Sequence, residues 1–121
     1  MIIEQLTICA PKGKRQEIGS ALVSLLGPTQ VRPGCLKCRL LQSWRNPDEL
    51  VLEANWETAD DLISHLQSDG YKRLLLLMEL SAVPPLLEFS TVQEVSGLEL
   101  VQKARTHPER TAAEEITIER S

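Results

Sequence analysis

Between Asn46 and Tyr71 the chain reads as a turn, a strand and a capped helix, and this order constrains the fold more than any other stretch. Leu50, Leu52, Ala54 and Trp56 occupy alternate positions, with Glu53, Asn55 and Glu57 on the opposite parity. Side chains alternate across a strand, so such a run buries one face and leaves the other polar. Asn46-Pro47-Asp48 is a strong turn signal. Before it, Cys35 to Trp44 reads as another strand, with Leu36, Cys38, Leu40 and Trp44 on one face. The two strands predict an antiparallel hairpin. After it, Thr58 to Asp61 forms T-x-x-D, close to a capping box, and opens a helix carrying Leu62, Ile63, His65 and Leu66.

The remaining segments complete a recognisable order. Ile2 to Ala10 is a first strand with Ile2, Leu6, Ile8 and Ala10 on one face and Gln5, Thr7 and Cys9 on the other. Lys14 to Leu26 has helical spacing, with an apolar stripe of Ile18, Leu22, Leu25 and Leu26, and Gly27-Pro28 supplies a stop. Ser68-Asp69-Gly70 interrupts the second helical region, which continues through Leu80. Leu87 to Val95 is a fourth strand, and Gly97 to Arg105 suits a short final helix. The order β-α-β-β-α-β predicts an α+β ferredoxin-like fold, a four-stranded antiparallel sheet with its helices on one face. Residues 1–105 form the folded domain in this reading. Residues 106–121 form a polar tail, either disordered or pairing with a partner subunit through a strand at Ile116 to Ile118.

Composition excludes several functions. The net charge is −4 and no basic stripe appears, which argues against nucleic acid. Only 3% of residues are aromatic, so base stacking has little support. The longest aliphatic run, Leu74 to Met78, is far too short to span a bilayer, and Glu4 stands where a secretory signal would be basic. Three cysteines without such a signal point to reduced thiols in the cytoplasm. Cys35-Leu36-Lys37-Cys38 spells C-x-x-C, but regular strand alternation would put the thiols on opposite faces, away from metal or redox geometry.

The chain resembles the antibiotic biosynthesis monooxygenase family. The resemblance rests on A-P-K-G-K after the first strand, P-T-Q-V-R-P-G-C-L into the second, N-P-D-E-L-V-L-E-A-N-W-E-T in the hairpin and D-L-I-S-H-L-Q-S-D-G-Y in the helix. M-E-L-S-A-V-P-P and S-G-L-E-L also fit, so it covers about residues 1–105. It implies a homodimer in which two sheets pack face to face as a dimeric α+β barrel, with ligand between sheet and helices in each subunit. Haem-degrading relatives place a histidine further along this helical region. Here that stretch reads Arg73-Leu74-Leu75-Leu76-Leu77, which offers no such ligand.

The implied activity is cofactor-independent oxidation of a small aromatic quinol or phenol. The deprotonated substrate is itself the electron donor to oxygen, so the protein needs a dry slot, a proton acceptor and stabilisation of the anion. His65 is the candidate base, bordering the apolar stripe of its helix, with an ordinary pKa near ~6.5. Tyr71 is a candidate hydrogen-bond donor, Trp56 one wall, and Ala54, Leu52 and Phe89 further lining. No cofactor or metal is expected. The alternative is a non-catalytic dimeric module that binds a small hydrophobic molecule or a protein partner.

Overall fold

A computed structural model of the chain describes residues 1–106. Its elements are β1 (Ile2–Cys9), α1 (Arg15–Gln30), β2 (Cys35–Gln42), β3 (Glu49–Trp56), α2 (Ala59–Leu66), α3 (Asp69–Met78), β4 (Leu86–Thr91) and α4 (Leu98–Thr106). One compact unit spans Met1–Thr91; a second begins at Val92 and carries α4. The tail expectations, disorder or a strand at 116–118, lie outside the described residues.

The four strands run in the order β2-β3-β1-β4, and every neighbouring pair is antiparallel. This is the ferredoxin-like arrangement expected from the alternation pattern. Inward positions are Glu4, Leu6 and Ile8 of β1 and Leu50, Leu52, Ala54 and Trp56 of β3. Against them pack Ile18 and Leu22 of α1, Leu62 of α2, and Tyr71 and Leu74 of α3. Trp56, Leu6, Ile8 and Leu22 are the largest fully buried side chains, each contributing on the order of 1.5–3 kcal/mol of transfer free energy.

Helix α1 passes through the expected stop and ends at Gln30. A proline is tolerated here because Gly27, lacking a Cβ, avoids the clash that a following proline imposes on a helical residue. What is lost is the hydrogen bond that the missing Pro28 N–H would have made. The Val31 N–H closes the helix on the Gly27 carbonyl at 3.3 Å. Gly34, at φ +79°, begins the approach to β2; a Cβ there would collide with the Asp61 side chain. Glycine is thus required twice over, for its backbone angle and for the close approach of α2.

Two hairpin details depart from simple alternation. Strand β2 ends at Gln42, and Trp44 is 97% exposed in the turn rather than covering the sheet. A register shift between Cys35 and Lys37 leaves Leu36 as an extra residue, a β-bulge. Leu36 is consequently exposed, while Cys35 and Cys38 both pack against the cluster around Trp56 and Ala54. The expectation of thiols on opposite faces is therefore corrected: the bulge resets the alternation between them.

Candidate functional site

The site begins with the break between α2 and α3. Thr58 Oγ1 accepts the Asp61 N–H at 3.1 Å and donates to Asp61 Oδ2 at 2.8 Å, so the T-x-x-D segment does start α2. Ser68 starts α3 by accepting the Tyr71 N–H at 3.3 Å, and its hydroxyl donates to the His65 carbonyl at 2.6 Å. One serine thereby ties the backbones of His65 and Tyr71 together. Their side chains turn inward, both buried, over β1 and β3.

There they meet Trp56 and Glu4. The His65 ring stacks on the Trp56 indole, centroids 4.5 Å apart and 27° between planes. Tyr71 and His65 meet in a T-shaped arrangement, centroids 5.2 Å apart and 90° between planes. Glu4 is only 3% exposed, and its Oε1 accepts the Trp56 Nε1–H at 3.1 Å. The same oxygen lies 3.8 Å from His65 Nε2. Three buried polar atoms of this group, Glu4 Oε2, His65 Nδ1 and the Tyr71 hydroxyl, have no hydrogen-bond partner. Buried polar atoms are rarely left so, and these three lie together in one place.

That place is a cavity of about 170 Å³ between sheet and helices. Glu4, His65 and Tyr71 line it with Leu52 and Ala54 of β3, Cys38 of β2, Pro28 and Thr29 of α1, and Arg32 and Arg73. The unexpected continuation of α1 is what supplies Pro28 and Thr29. Of the residues expected from sequence, His65, Tyr71, Ala54 and Leu52 reach the cavity. Trp56, 0% exposed, stands behind His65 and supports its ring instead of forming the wall. Phe89 is corrected. Its register partner Glu4 is on the helix side, but β4 is an edge strand, and Phe89 is 44% exposed and outside the lining.

Electrostatics change the expected roles. Burial, with the Arg32 charge adding to it, lowers the His65 pKa to about 4, so the imidazole is neutral at pH 7. Burial raises Glu4 above its ordinary 4.5, against the opposing pull of the Trp56 N–H and of the nearby Tyr71 hydroxyl. The Tyr71 hydroxyl approaches the carboxylate without closing a well-formed hydrogen bond. Glu4 is thus pushed up and His65 pushed down from their ordinary values, which makes the carboxylate a candidate proton acceptor beside the imidazole. Tyr71 is pushed up to about 12 by burial and by the Glu4 charge, and remains a donor. Burial likewise raises both thiols, Cys38 to about 12, which keeps them neutral and unreactive.

Glu4 is the residue that sequence reasoning passed over. It stands between Ile2 and Leu6 on the apolar parity of β1, and a carboxylate at an inward position of an otherwise apolar face is a readable signal. Arg32 had no such signal, because its place depends on the turn between α1 and β2.

The family model of antibiotic biosynthesis monooxygenases matches residues 1–75. Among solved structures, a Deinococcus radiodurans protein described provisionally as an antibiotic biosynthesis monooxygenase superposes with a TM-score of 0.73 at 18% identity, covering 80% of this chain and 97% of that one. A Mycobacterium tuberculosis protein gives 0.71 at 20% identity over 79% and 98% of the two chains. A conserved protein of Methanosarcina mazei gives 0.70 at 23% identity over 77% and 94%. At such identities these likenesses speak for the fold. A comparison with curated protein sequences returns no match.

Proposed function

The chain belongs to the antibiotic biosynthesis monooxygenase family, and on that premise we propose that it is a cofactor-independent monooxygenase acting on a small phenol or quinol held between sheet and helices. The observation that carries this reading is the Glu4 carboxylate, buried in the cavity wall with Oε2 unpartnered.

The substrate hydroxyl gives its proton to Glu4 Oε2. The raised pKa of the carboxylate brings it nearer the working pH, where a general base is more effective. The Trp56 N–H holds the other oxygen and fixes the direction of the free one. Tyr71, protonated throughout, donates to the phenolate oxygen, and neutral His65 offers Nδ1 as a further hydrogen-bonding group. The phenolate passes one electron to dioxygen, and the resulting radicals combine to form a ring C–O bond. Glu4 returns its proton to the peroxide, and the ring carbon then loses its hydrogen as a proton while its electron pair displaces hydroxide from the O–O bond, the two leaving as water. Overall, a phenol and dioxygen become a quinone and one water. The apolar lining excludes water from the anion and radical stages.

The outer sheet face supports a homodimer. Val51, Glu53 and Asn55 of β3 point away from the helices, and Asn55 Oδ1 is buried there without a partner. A second sheet laid over this face would give it one.

Oxygen uptake with a panel of phenols and hydroquinones tests the chemistry. Glu4→Gln should lower turnover about 10²–10⁴-fold, the usual contribution of a positioned base. His65→Gln should lower it less. If Glu4→Gln stays active while His65→Gln does not, the base is the imidazole. No uptake by the wild type with any of the panel removes the oxygenase reading altogether.

A further inference from the structure

The cavity is bipolar. Its lining holds both signs of charge, the buried Glu4 carboxylate and two arginines, the half-buried Arg32 and the exposed Arg73. Neither takes part in the ion pairs found among the described residues. Arg32 is anchored: its Nη2 donates to the Ser64 carbonyl and to Ser64 Oγ, each at 3.2 Å. Its Nε is buried and donates to nothing. A buried donor left unmade is costly, and a guanidinium recovers most from a planar anion such as a carboxylate. Arg73, on α3, is two residues after Tyr71 and lines the same cavity.

Size limits the occupant. A cavity of roughly 150 Å³ takes a benzene ring, and sites for drug-sized molecules begin near roughly 300 Å³. At about 170 Å³ this one suits a single substituted ring.

Resting on the oxygenase reading for the role of the hydroxyl, we propose that the substrate is an aromatic hydroxy acid of one ring. Its carboxylate lies against Arg32 and Arg73, and its hydroxyl points to Glu4. A substrate carboxylate set at Glu4 instead would oppose carboxylate to carboxylate and leave the Arg32 Nε–H unmade. Arg32 and Arg73 are thus the residues that set specificity, and neither touches the proton that is transferred.

Calorimetric binding under nitrogen tests this apart from any turnover. The probes are 2,5-dihydroxybenzoate, its methyl ester and hydroquinone. The wild type should bind the acid about tenfold or more tighter than the ester, as expected for a charge-assisted pair, and added salt should shrink that margin. Arg32→Met and Arg73→Met should each reduce the margin between acid and ester. Equal binding of acid and ester by the wild type, a salt-independent margin, or no binding of any probe overturns the proposal. The wild-type comparison decides even where a variant fails to fold. Oxygen uptake with hydroquinone reads the oxygenase chemistry separately: activity there with no preference for the acid removes only the specificity, whereas preference without uptake removes only the oxygenase reading.

Discussion

His65 is held in its neutral form against Trp56, and this makes stability respond to acid in a defined window. Its folded pKa of about 4 lies below the ordinary 6.5. Unfolding therefore takes up a proton between these values, so the stabilisation is whole above 6.5 and is lost as pH falls toward 4. Denaturant midpoints at pH 7 and pH 5 should fall for the wild type and fall less for His65→Gln. Parallel changes would contradict the assignment. Glu4 has the opposite sign: its raised pKa means that its burial penalty is present above that pKa and relieved as pH falls through it. The acid limb of turnover should run the other way, since only ionised Glu4 accepts a proton. His65 and Tyr71 were legible as chemistry-bearing residues beside an apolar stripe. The shifts in their pKa values were not, because these depend on which groups share a buried volume.

At the scale of elements, the break between α2 and α3 does the positioning. Ser68 accepts from Tyr71 and donates to His65, so Ser68→Ala should cost about 1 kcal/mol as a lost helix cap. It should also lower turnover more than a cap lost elsewhere, such as Thr58→Ala at the start of α2, because only Ser68 couples the two site residues. Equal effects of the two substitutions on turnover, at matched stability, would deny Ser68 that role. The interruption was visible as Ser68-Asp69-Gly70, and the hairpin as an alternating run around a proline turn. The continuation of α1 through Pro28 and the bulge at Leu36 were hidden. Both are cases where local preference is overruled: Gly27 removes the clash before the proline, and the sheet accepts an extra residue that turns both thiols to the core.

For the whole molecule the polar outer face of the sheet is the surface that a partner subunit would cover. There the Arg39 guanidinium meets Glu53 Oε1 at 3.1 Å, and Gln5 donates to Glu53 Oε2 at 3.0 Å. The cross-strand pairing of Arg39 with Glu53 follows directly from hairpin register. Light scattering at micromolar concentration should give twice the chain mass, and Val51→Asp at the centre of that face should shift the protein toward monomer. A monomeric wild type would contradict the face-to-face dimer. Among the described residues no helix is long and apolar enough to cross a membrane.

The sequence alone determined the order of strands and helices and the faces of β1 and β3, because alternation, turn chemistry and helix caps are local and repeat along the chain. It also supplied Trp56, His65 and Tyr71 as the concentrated aromatic and titratable groups. Only the tertiary structure decided that Glu4, 52 residues before Trp56 in the chain, meets its indole, and that Arg32 reaches the same cavity. The physical reason is that pKa values, orphaned donors and cavity volume belong to groups brought together by packing. No periodicity in the chain records which distant side chains will share one dry space.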